Sequence, residues 1–195
     1  MEPELIELVR LLKHRTKPRV IDVGCGTGRH VAYLARHGID AYGFDLSKTA
    51  VAEAEKLLEK EKLPSHLWVG DMFKRIPFED EYFDAAVSTR VVHHGYIRQV
   101  RSSILEMDRV VRKGGHIFIQ SPIWLKGEKV QNPKALQVEP GTLVWSEGEE
   151  AHVPHHHFTK EELLQPFKNY RILKLHSRTS HYDGWCLLAR KSQLR

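Results

Sequence analysis

Short apolar runs alternate along this chain with longer segments in which apolar residues recur every three or four positions. The longer segments have helical spacing, and helix-capping residues flank several of them. The predicted helices cover Glu4–His14, Arg29–His37 (ended by Gly38), the residues from the N-cap Ser47 to Lys62, a long segment from Ile97 to Val111 that Gly114-Gly115 closes, and the residues from the capping box Thr159–Glu162 to about Lys168. The short runs predict strands at Arg19–Val23, Asp40–Phe44, His66–Val69, Phe83–Ser88, His116–Gln120, Tyr170–Leu175 and Gly184–Ala189.

This alternation predicts an α/β fold. Strands that alternate with helices form βαβ units, which place parallel strands side by side and helices on both faces of the sheet. A short connection joins the last two predicted strands, which favours an antiparallel hairpin. We therefore predict a single domain over residues 1–195, built on a doubly wound, mostly parallel seven-stranded sheet with an antiparallel C-terminal hairpin.

The stretch 122–157 interrupts the alternation. It is rich in proline and glycine, and its apolar residues are scattered. A loop of this length inside a compact domain is uncommon and often serves as a lid or a binding loop. We predict a lid or substrate insert at 122–157.

Composition narrows the class of protein. Apolar residues make up 41% and charged residues 28% of the 195 residues, which is typical of globular domains. No apolar run approaches the roughly 18 residues of a membrane span, and Cys25 and Cys186 offer no disulfide framework. We therefore expect no membrane association and a cytoplasmic location. The net charge of +5 permits an anionic partner such as RNA, although a solvated basic surface is the commoner reason for such a charge.

A glycine loop carries the first functional signal. Gly24, Gly26 and Gly28 follow a predicted strand and open a predicted helix. Glycines in this place let a ligand approach the backbone, and helix N-terminal amides favour an anionic group. Asp45 ends the next strand, where a carboxylate can accept hydrogen bonds from ribose hydroxyls. The combination predicts a nucleoside-containing cofactor, with a nicotinamide dinucleotide as the main competitor.

Two details favour a cofactor other than a dinucleotide. The third glycine comes one residue earlier than in the dinucleotide fingerprint. Asp22 precedes the loop by two residues, and a carboxylate there would repel a pyrophosphate but suit a ligand with an amino group and a sulfonium. Asp22 has an alternative interpretation as a strand-end carboxylate that caps a loop amide.

Five segments together resemble the motifs of class I S-adenosylmethionine-dependent methyltransferases. They are Val20–Gly28, Phe44-Asp45-Leu46-Ser47, Gly70-Asp71-Met72, Phe83–Ser88 and Val110–Gly115. The resemblance covers about residues 18–121 and implies a Rossmann-like fold, S-adenosylmethionine as the methyl donor and S-adenosylhomocysteine as the product. It also implies a cofactor site made of Asp22, Gly24, Cys25, Gly26, Gly28, Asp45, Leu46, Asp71, Met72 and Ser88.

Each of these residues also has a simpler interpretation. Asp45 is a plausible cap before the helix, Asp71 a turn former and Met72 a core residue. Taken together, these readings require several unrelated carboxylates at strand C-termini, where open α/β sheets bind ligands.

The methyl acceptor is the less determined half of the prediction, and no catalytic residue is assigned. Arg90, His94 and His157 are the candidates on the substrate side, with half-buried packing as the alternative for the paired histidines at 93 and 94. We expect no metal site, because no Cys or Glu with zinc-site spacing flanks the histidines of 152–157.

Three functions remain in competition. The motif set and Pro154–Leu163 resemble small microbial methyltransferases of the tellurite-resistance type, which favours a small-molecule acceptor. Val91–His94 and Tyr182–Cys186 more weakly resemble the tRNA wobble-uridine carboxymethyl methyltransferases, which makes RNA the alternative acceptor. A non-catalytic nucleoside- or dinucleotide-binding module is the third, and the complete motif set argues against it. The sequence carries no signal of oligomeric state.

Overall fold

The computed structural model describes residues 1–124, 134–178 and 184–193. Its main sheet has seven strands in the order β3-β2-β1-β4-β5-β10-β9. These strands are β1 (Arg19–Val23), β2 (Asp40–Asp45), β3 (His66–Val69), β4 (Phe83–Thr89), β5 (Val111–Pro122), β9 (Tyr170–Arg178) and β10 (Gly184–Lys191). The helices are α1 (Pro3–Leu12), α2 (Arg29–Arg36), α3 (Lys48–Lys60), α4 (Ile97–Val110) and α5 (Lys160–Leu164), the last followed by a 3-10 turn at Gln165–Phe167.

The strand directions confirm the predicted α/β fold. β1 pairs in parallel with β2 on one side and with β4 on the other, so the strand order reverses at β1. β10 pairs antiparallel with β5 and β9, which is the predicted hairpin. Open sheets of this kind bind ligands beyond the strand ends at the reversal point, here between the carboxyl ends of β1 and β4.

Helices cover both faces of the sheet because neighbouring side chains of a strand point to opposite faces. Val20 packs on one face in a cluster with the leucines of α1 and α2, including Leu8 and Leu34. Ile21 packs on the other face with residues of α4 such as Ile104. All of these side chains are buried, so β1 lies at the centre of a two-sided core.

The structure differs from the prediction at the end of α4. This helix ends at Val110, and β5 begins at Val111 and runs through the two glycines that were expected to close the helix. Val111 is extended, with φ of −84° and ψ of 126°, and it pairs with Phe83. A Cβ atom on Gly115 would lie 2.7 Å from the carbonyl oxygen of Asp84, so this glycine permits close strand approach. The predicted capping box before α5 is confirmed, since Thr159 and Glu162 exchange both hydrogen bonds.

The predicted insert has secondary structure of its own. It forms a three-stranded antiparallel sheet from β6 (Ala135–Glu139), β7 (Thr142–Trp145) and β8 (Pro154–His156). The three strands are short, and Leu136 and Val138 of β6 are exposed. Residues 125–133 of the insert, and Tyr182 and Asp183 of the RNA-methyltransferase resemblance, lie outside the described residues. In the described part of the chain, no helix is long and apolar enough to span a membrane.

Candidate functional site

The glycine loop between β1 and α2 adopts a conformation that side chains rarely tolerate. Gly24 has φ of 77° and Gly26 has φ of 52°. The N–H groups of Gly24 and Cys25 both donate to the carbonyl of Phe44 at 2.9 Å, which fixes the loop to the end of β2. A Cβ atom on Gly24 would lie 2.2 Å from Cγ1 of Val91, whereas one on Gly26 would meet no atom within 4 Å. The loop therefore packs tightly at Gly24 and leaves open space at Gly26, where a ligand can approach the backbone.

Two cavities form one cleft along the carboxyl ends of the strands. The first, which we call the loop cavity, has a volume of about 490 Å³ and is lined by Gly24, Cys25, Gly26, Thr27, Arg29, His30, Asp45, Thr89, Arg90, Val91, His93, His94 and Glu150. The second, which we call the strand-end cavity, has a volume of about 480 Å³, and its lining includes Asp45, Leu46, Asp71, Met72, Phe73, Val91, His94 and Tyr96. The two share Gly24, Asp45, Val91 and His94, so they are contiguous.

Two carboxylates in this cleft are held by backbone amides. The two carboxylate oxygens of Asp45 accept hydrogen bonds from the backbone N–H groups of Gly26 and Ser47, each at 2.9 Å. Oδ1 of Asp71 accepts a hydrogen bond from the backbone N–H of Phe73 at 2.8 Å. A carboxylate oxygen has more than one acceptor position, so both side chains can also accept hydrogen bonds from a ligand. The alternative roles of Asp45 and Asp71 as local caps are therefore compatible with a binding role.

Three of the predicted cofactor residues do not line the cleft. Ser88 lies inside the sheet and donates its hydroxyl hydrogen to the carbonyl of Val23 at 2.9 Å, and the next residue, Thr89, lines the loop cavity instead. Gly28 precedes α2 with φ of 80° and packs on Ala54, where an added Cβ would lie 2.6 Å from the alanine Cβ. The third, Asp22, is only 1% exposed and lies behind His30.

A buried ionic cluster that no sequence pattern indicated lies at the loop cavity. His30 lies 2.9 Å from Oε2 of Glu2 and 3.5 Å from Oδ2 of Asp22. Burial opposes the charge on His30, but these two carboxylates outweigh it and raise the pKa of His30 to about 9. The hydrogen bond from His30 in turn lowers the pKa of Glu2 to about 2. The ring is therefore an imidazolium at neutral pH, and it faces the cleft beside Arg29.

Cys25 lines the loop cavity but is not a nucleophile. Burial, together with the negative charges of Asp22 and Asp45, raises the pKa of the Cys25 thiol far above its usual range. The thiolate is the reactive form of cysteine, so this side chain contributes shape rather than chemistry.

A third cavity lies beside the cleft, beneath the small sheet. This histidine cavity has a volume of about 470 Å³ and is lined by His93, Pro122, Trp145, Glu147, Glu149, Glu150, His155 and His157. His93 and Glu150 also line the loop cavity, so the two spaces border each other. Of the predicted substrate-side residues, His157 lies in this cavity and Arg90 and His94 lie in the cleft. Arg90 adopts an uncommon positive φ of 59°, a type of strain that recurs at functional sites.

The fold brings together histidines that are distant in the sequence. His93 and His94 follow β4, His155 is in β8, and one ring nitrogen from each lies within 4.8 Å of the others. Burial lowers the pKa of His93 well below the usual value, and burial together with His155 lowers that of His94. The sequence predicted no metal site, yet this cluster has the residue types that hold one.

Comparison with known proteins agrees with this geometry. Residues 21–119, about half of the chain, match the family described as methyltransferase domain. The chain belongs to the methyltransferase-domain family. The predicted resemblance to class I S-adenosylmethionine-dependent methyltransferases is thereby confirmed at the level of the family.

Two curated relatives show how far the similarity extends. Demethylmenaquinone methyltransferase of Beutenbergia cavernae is 32% identical over 113 residues, which are 56% of this chain and 44% of that protein. Probable tRNA methyltransferase 9B of Homo sapiens is 26% identical over 175 residues, which are 88% of this chain and 31% of that protein. The chain spans less than half the length of the curated relatives it matches.

Solved structures share the fold. An S-adenosylmethionine-dependent methyltransferase of Methanosarcina mazei has a TM-score of 0.80 and 20% identity, covering 98% of each chain. TehB of Haemophilus influenzae has a TM-score of 0.73 and 23% identity, covering 95% of this chain and 62% of that one. These likenesses confirm the predicted Rossmann-like fold. At such identities they do not confirm the closer resemblance to the tellurite-resistance type.

Proposed function

We propose that this chain transfers the methyl group of S-adenosylmethionine to a small-molecule acceptor by in-line displacement. The observation that carries the proposal is that the loop cavity and the histidine cavity share a wall. The loop cavity, beside the glycine loop, borders the histidine cavity through His93 and Glu150. A donor in the cleft and an acceptor in the histidine cavity would therefore meet at this wall.

The strand-end cavity suits the adenosine part of the donor. Asp45 would accept hydrogen bonds from the ribose hydroxyls and Asp71 would accept one from the adenine amino group. Leu46 and Met72 would flank the adenine ring. Asp45 and Asp71 are already oriented by backbone amides, so little side-chain order has to be gained on binding. Gly26 leaves the approach to the backbone open, which fits a ligand that lies against the loop.

The loop cavity suits the amino-acid part of the donor. Arg29 and the imidazolium of His30 present positive charge to a carboxylate at the N-terminus of α2, where the helix dipole acts in the same direction. Glu2 and Asp22 balance these charges from behind. A balanced set of two positive and two negative charges matches a zwitterion. Asp22 therefore acts on the ligand through His30.

The protein's part in the reaction is positioning. When bound, S-adenosylmethionine supplies an electrophilic methyl group on a sulfonium, and the acceptor's lone pair forms the new bond while the carbon–sulfur pair stays on sulfur. Alignment of the two reactants is then the main contribution of the site. A general base is needed only for an acceptor that is protonated at working pH. His157 is the candidate for this role, because its imidazole lines the histidine cavity.

The walls of the histidine cavity favour an uncharged or cationic acceptor. Trp145 and His157 supply aromatic surface, and Glu147, Glu149 and Glu150 supply negative charge. This charge opposes the phosphates of RNA, whose binding depends on basic side chains. An RNA acceptor is the weaker alternative. It is favoured by the extent of the alignment with the human tRNA-methyltransferase relative, which reaches beyond the family match.

Isotope-labelled methyl transfer tests this proposal. The chain is incubated with methyl-labelled S-adenosylmethionine and an extract that has been separated into small-molecule, RNA and protein fractions. We expect label in the small-molecule fraction, and much less label at low donor concentration with an Asp45→Ala variant as the matched control. Label confined to RNA would replace the proposed acceptor class. A chain that binds NAD but not S-adenosylmethionine in calorimetry would overturn the donor as well.

A further inference from the structure

Three histidines and one glutamate meet at the wall between the loop cavity and the histidine cavity. One ring nitrogen from each of His93, His94 and His155 lies within 4.8 Å of the others. Glu150 contacts two of the rings, with Oε2 at 2.9 Å from Nε2 of His155 and Oε1 at 3.6 Å from Nε2 of His94. These nitrogen–oxygen separations are close to the distance of about 3.4 Å that separates two ligands of one tetrahedral zinc ion.

The hydrogen bonding of His155 calls for either a proton or a metal ion between this ring and Glu150. Its Nδ1 donates to the carbonyl of Val153 at 2.9 Å, so in the neutral ring the lone pair is on Nε2. That lone pair faces a carboxylate oxygen of Glu150 at 2.9 Å, and two acceptors at this distance repel each other unless a proton or a metal ion lies between them. A ring nitrogen that donates to a carbonyl while the other binds a metal is the usual second-shell arrangement of metal-binding histidine.

His93 contributes a buried ring nitrogen that is unsatisfied within the described part of the chain. His93 is 4% exposed, and its Nδ1 has no hydrogen-bond partner among the residues that the structure describes. Leaving a polar atom buried in this way costs about 1–3 kcal/mol, so such atoms need a physical reason.

The backbone holds the two sides of the cluster in register. The N–H of His156 donates to the carbonyl of His93 at 2.8 Å, and the N–H of Gly95 donates to that of Pro154 at 2.6 Å. Between these two bonds, His94 and His155 form an antiparallel bridge. The ligand-bearing segments are thus positioned by main-chain hydrogen bonds, and only side-chain rotations remain to close the rings around an ion.

We propose that His93, His94 and His155 bind a divalent first-row transition metal ion, with Glu150 as a fourth and exchangeable ligand. Three imidazoles and a carboxylate suit Zn²⁺ and its neighbours rather than Mg²⁺ or Ca²⁺, which prefer oxygen ligands. The side chain of Glu150 is 62% exposed, whereas the rings of His93 and His155 are buried, so the glutamate is the ligand that can leave. When Glu150 leaves, the ion would have an open coordination position that faces the histidine cavity, where the acceptor binds. This contact with the acceptor rests on the proposed function, whereas the metal site itself does not.

Zinc titration of the full chain tests the site directly. The protein is treated with chelator and titrated with Zn²⁺ at neutral pH by calorimetry, and Co²⁺ absorption reports the coordination. We expect one ion per chain and a rise in the thermal unfolding midpoint on zinc addition. His93→Ala and His155→Ala should each weaken zinc binding by more than about 100-fold, because loss of even a second-shell partner costs 10–100-fold. Glu150→Gln should weaken it by about tenfold.

Matched controls separate the site from nonspecific binding and from misfolding. His37→Ala removes a surface histidine at the end of α2, away from the cluster, and should bind zinc like the unaltered chain. Circular dichroism checks the fold of each variant, and His155→Gln replaces His155→Ala if the latter unfolds. Absence of zinc binding by the unaltered chain overturns the proposal and leaves a proton between His155 and Glu150. Equal zinc binding by all variants overturns it too. Neither result bears on S-adenosylmethionine binding, which the same calorimeter measures separately.

Discussion

The carboxylate of Asp45 holds the backbone of Gly26, whose N–H donates to Oδ2 at 2.9 Å. The contact joins the end of β2 to the loop after β1, nineteen residues earlier in the chain. One side chain thus shapes the glycine loop and also lines both cavities of the cleft. Loop geometry and ligand binding therefore depend on the same group.

Asp45→Ala should lower the affinity for S-adenosylmethionine about 10- to 100-fold. The expected loss follows from hydrogen bonds to a charged acceptor, each of which contributes about 1.5–3 kcal/mol. Calorimetry measures the dissociation constant, and circular dichroism checks that the fold is kept. Asp40→Asn is the control, since Asp40 lies at the other end of β2. An Asp45→Ala protein that binds the donor within twofold of the unaltered chain would exclude the assigned role.

The unaltered chain should lose stability as the pH rises into the alkaline range, and His30→Gln should remove this pH dependence. The pKa of His30 is raised from 6.5 to about 9, so its contribution is complete below about pH 6.5 and is lost as the pH rises through about 9. The difference in unfolding free energy between the two proteins should shrink over this range by on the order of 3 kcal/mol at most, because one pKa unit corresponds to about 1.36 kcal/mol.

Denaturant unfolding at a series of pH values checks this expectation. The pKa of Glu2 is lowered to about 2, so its contribution is present above about pH 4.5 and disappears only in acid. Glu2→Gln should therefore reduce both the acid and the alkaline dependence. Parallel stability curves for the unaltered chain and His30→Gln between neutral and alkaline pH would count against a charged His30.

Gly24→Ala should destabilise the chain more than Gly38→Ala does. Both positions have φ near 77°, where a side chain costs about 1–2 kcal/mol. An added Cβ meets no atom within 4 Å at Gly38, but it would lie 2.2 Å from Cγ1 of Val91 at Gly24. Because the backbone strain is similar, the difference in unfolding free energy measures the steric overlap. Equal losses at the two positions would contradict the close packing of the loop against Val91.

How much of the molecule the sequence predicts depends on whether the signal is local. β1 was predicted with its observed bounds because a single apolar run at Arg19–Val23 defines it. The end of β4, which lines the cleft, was predicted one residue too early, at Ser88 instead of Thr89. Local composition does not fix the last residue of a strand. The same limit placed the end of α4 at the glycines instead of Val110.

Long-range pairs left no local pattern. Glu2 and His30 are 28 residues apart, and nothing near either residue indicates their contact. The histidines of the cluster come from β8 and from the segment after β4, so neither segment alone has metal-ligand spacing. The strands of the small sheet were missed because three to five residues give too short a pattern to separate strand from loop.

His157→Ala and His94→Ala should have separable effects. Among the cavities lined by the described residues, His157 lies in the histidine cavity and in neither cavity of the cleft, so its loss should lower methyl transfer and leave the affinity for S-adenosylmethionine unchanged. His94 lines both cavities of the cleft, so its loss should weaken donor binding as well. Donor calorimetry combined with labelled methyl transfer into the accepting fraction distinguishes the two, and His37→Ala serves as a surface control.

Because a positioned general base contributes about 100-fold or more, His157→Ala should reduce turnover by at least that factor if the acceptor is protonated and by less if it is not. Unchanged turnover in both variants would remove histidine from the acceptor site altogether.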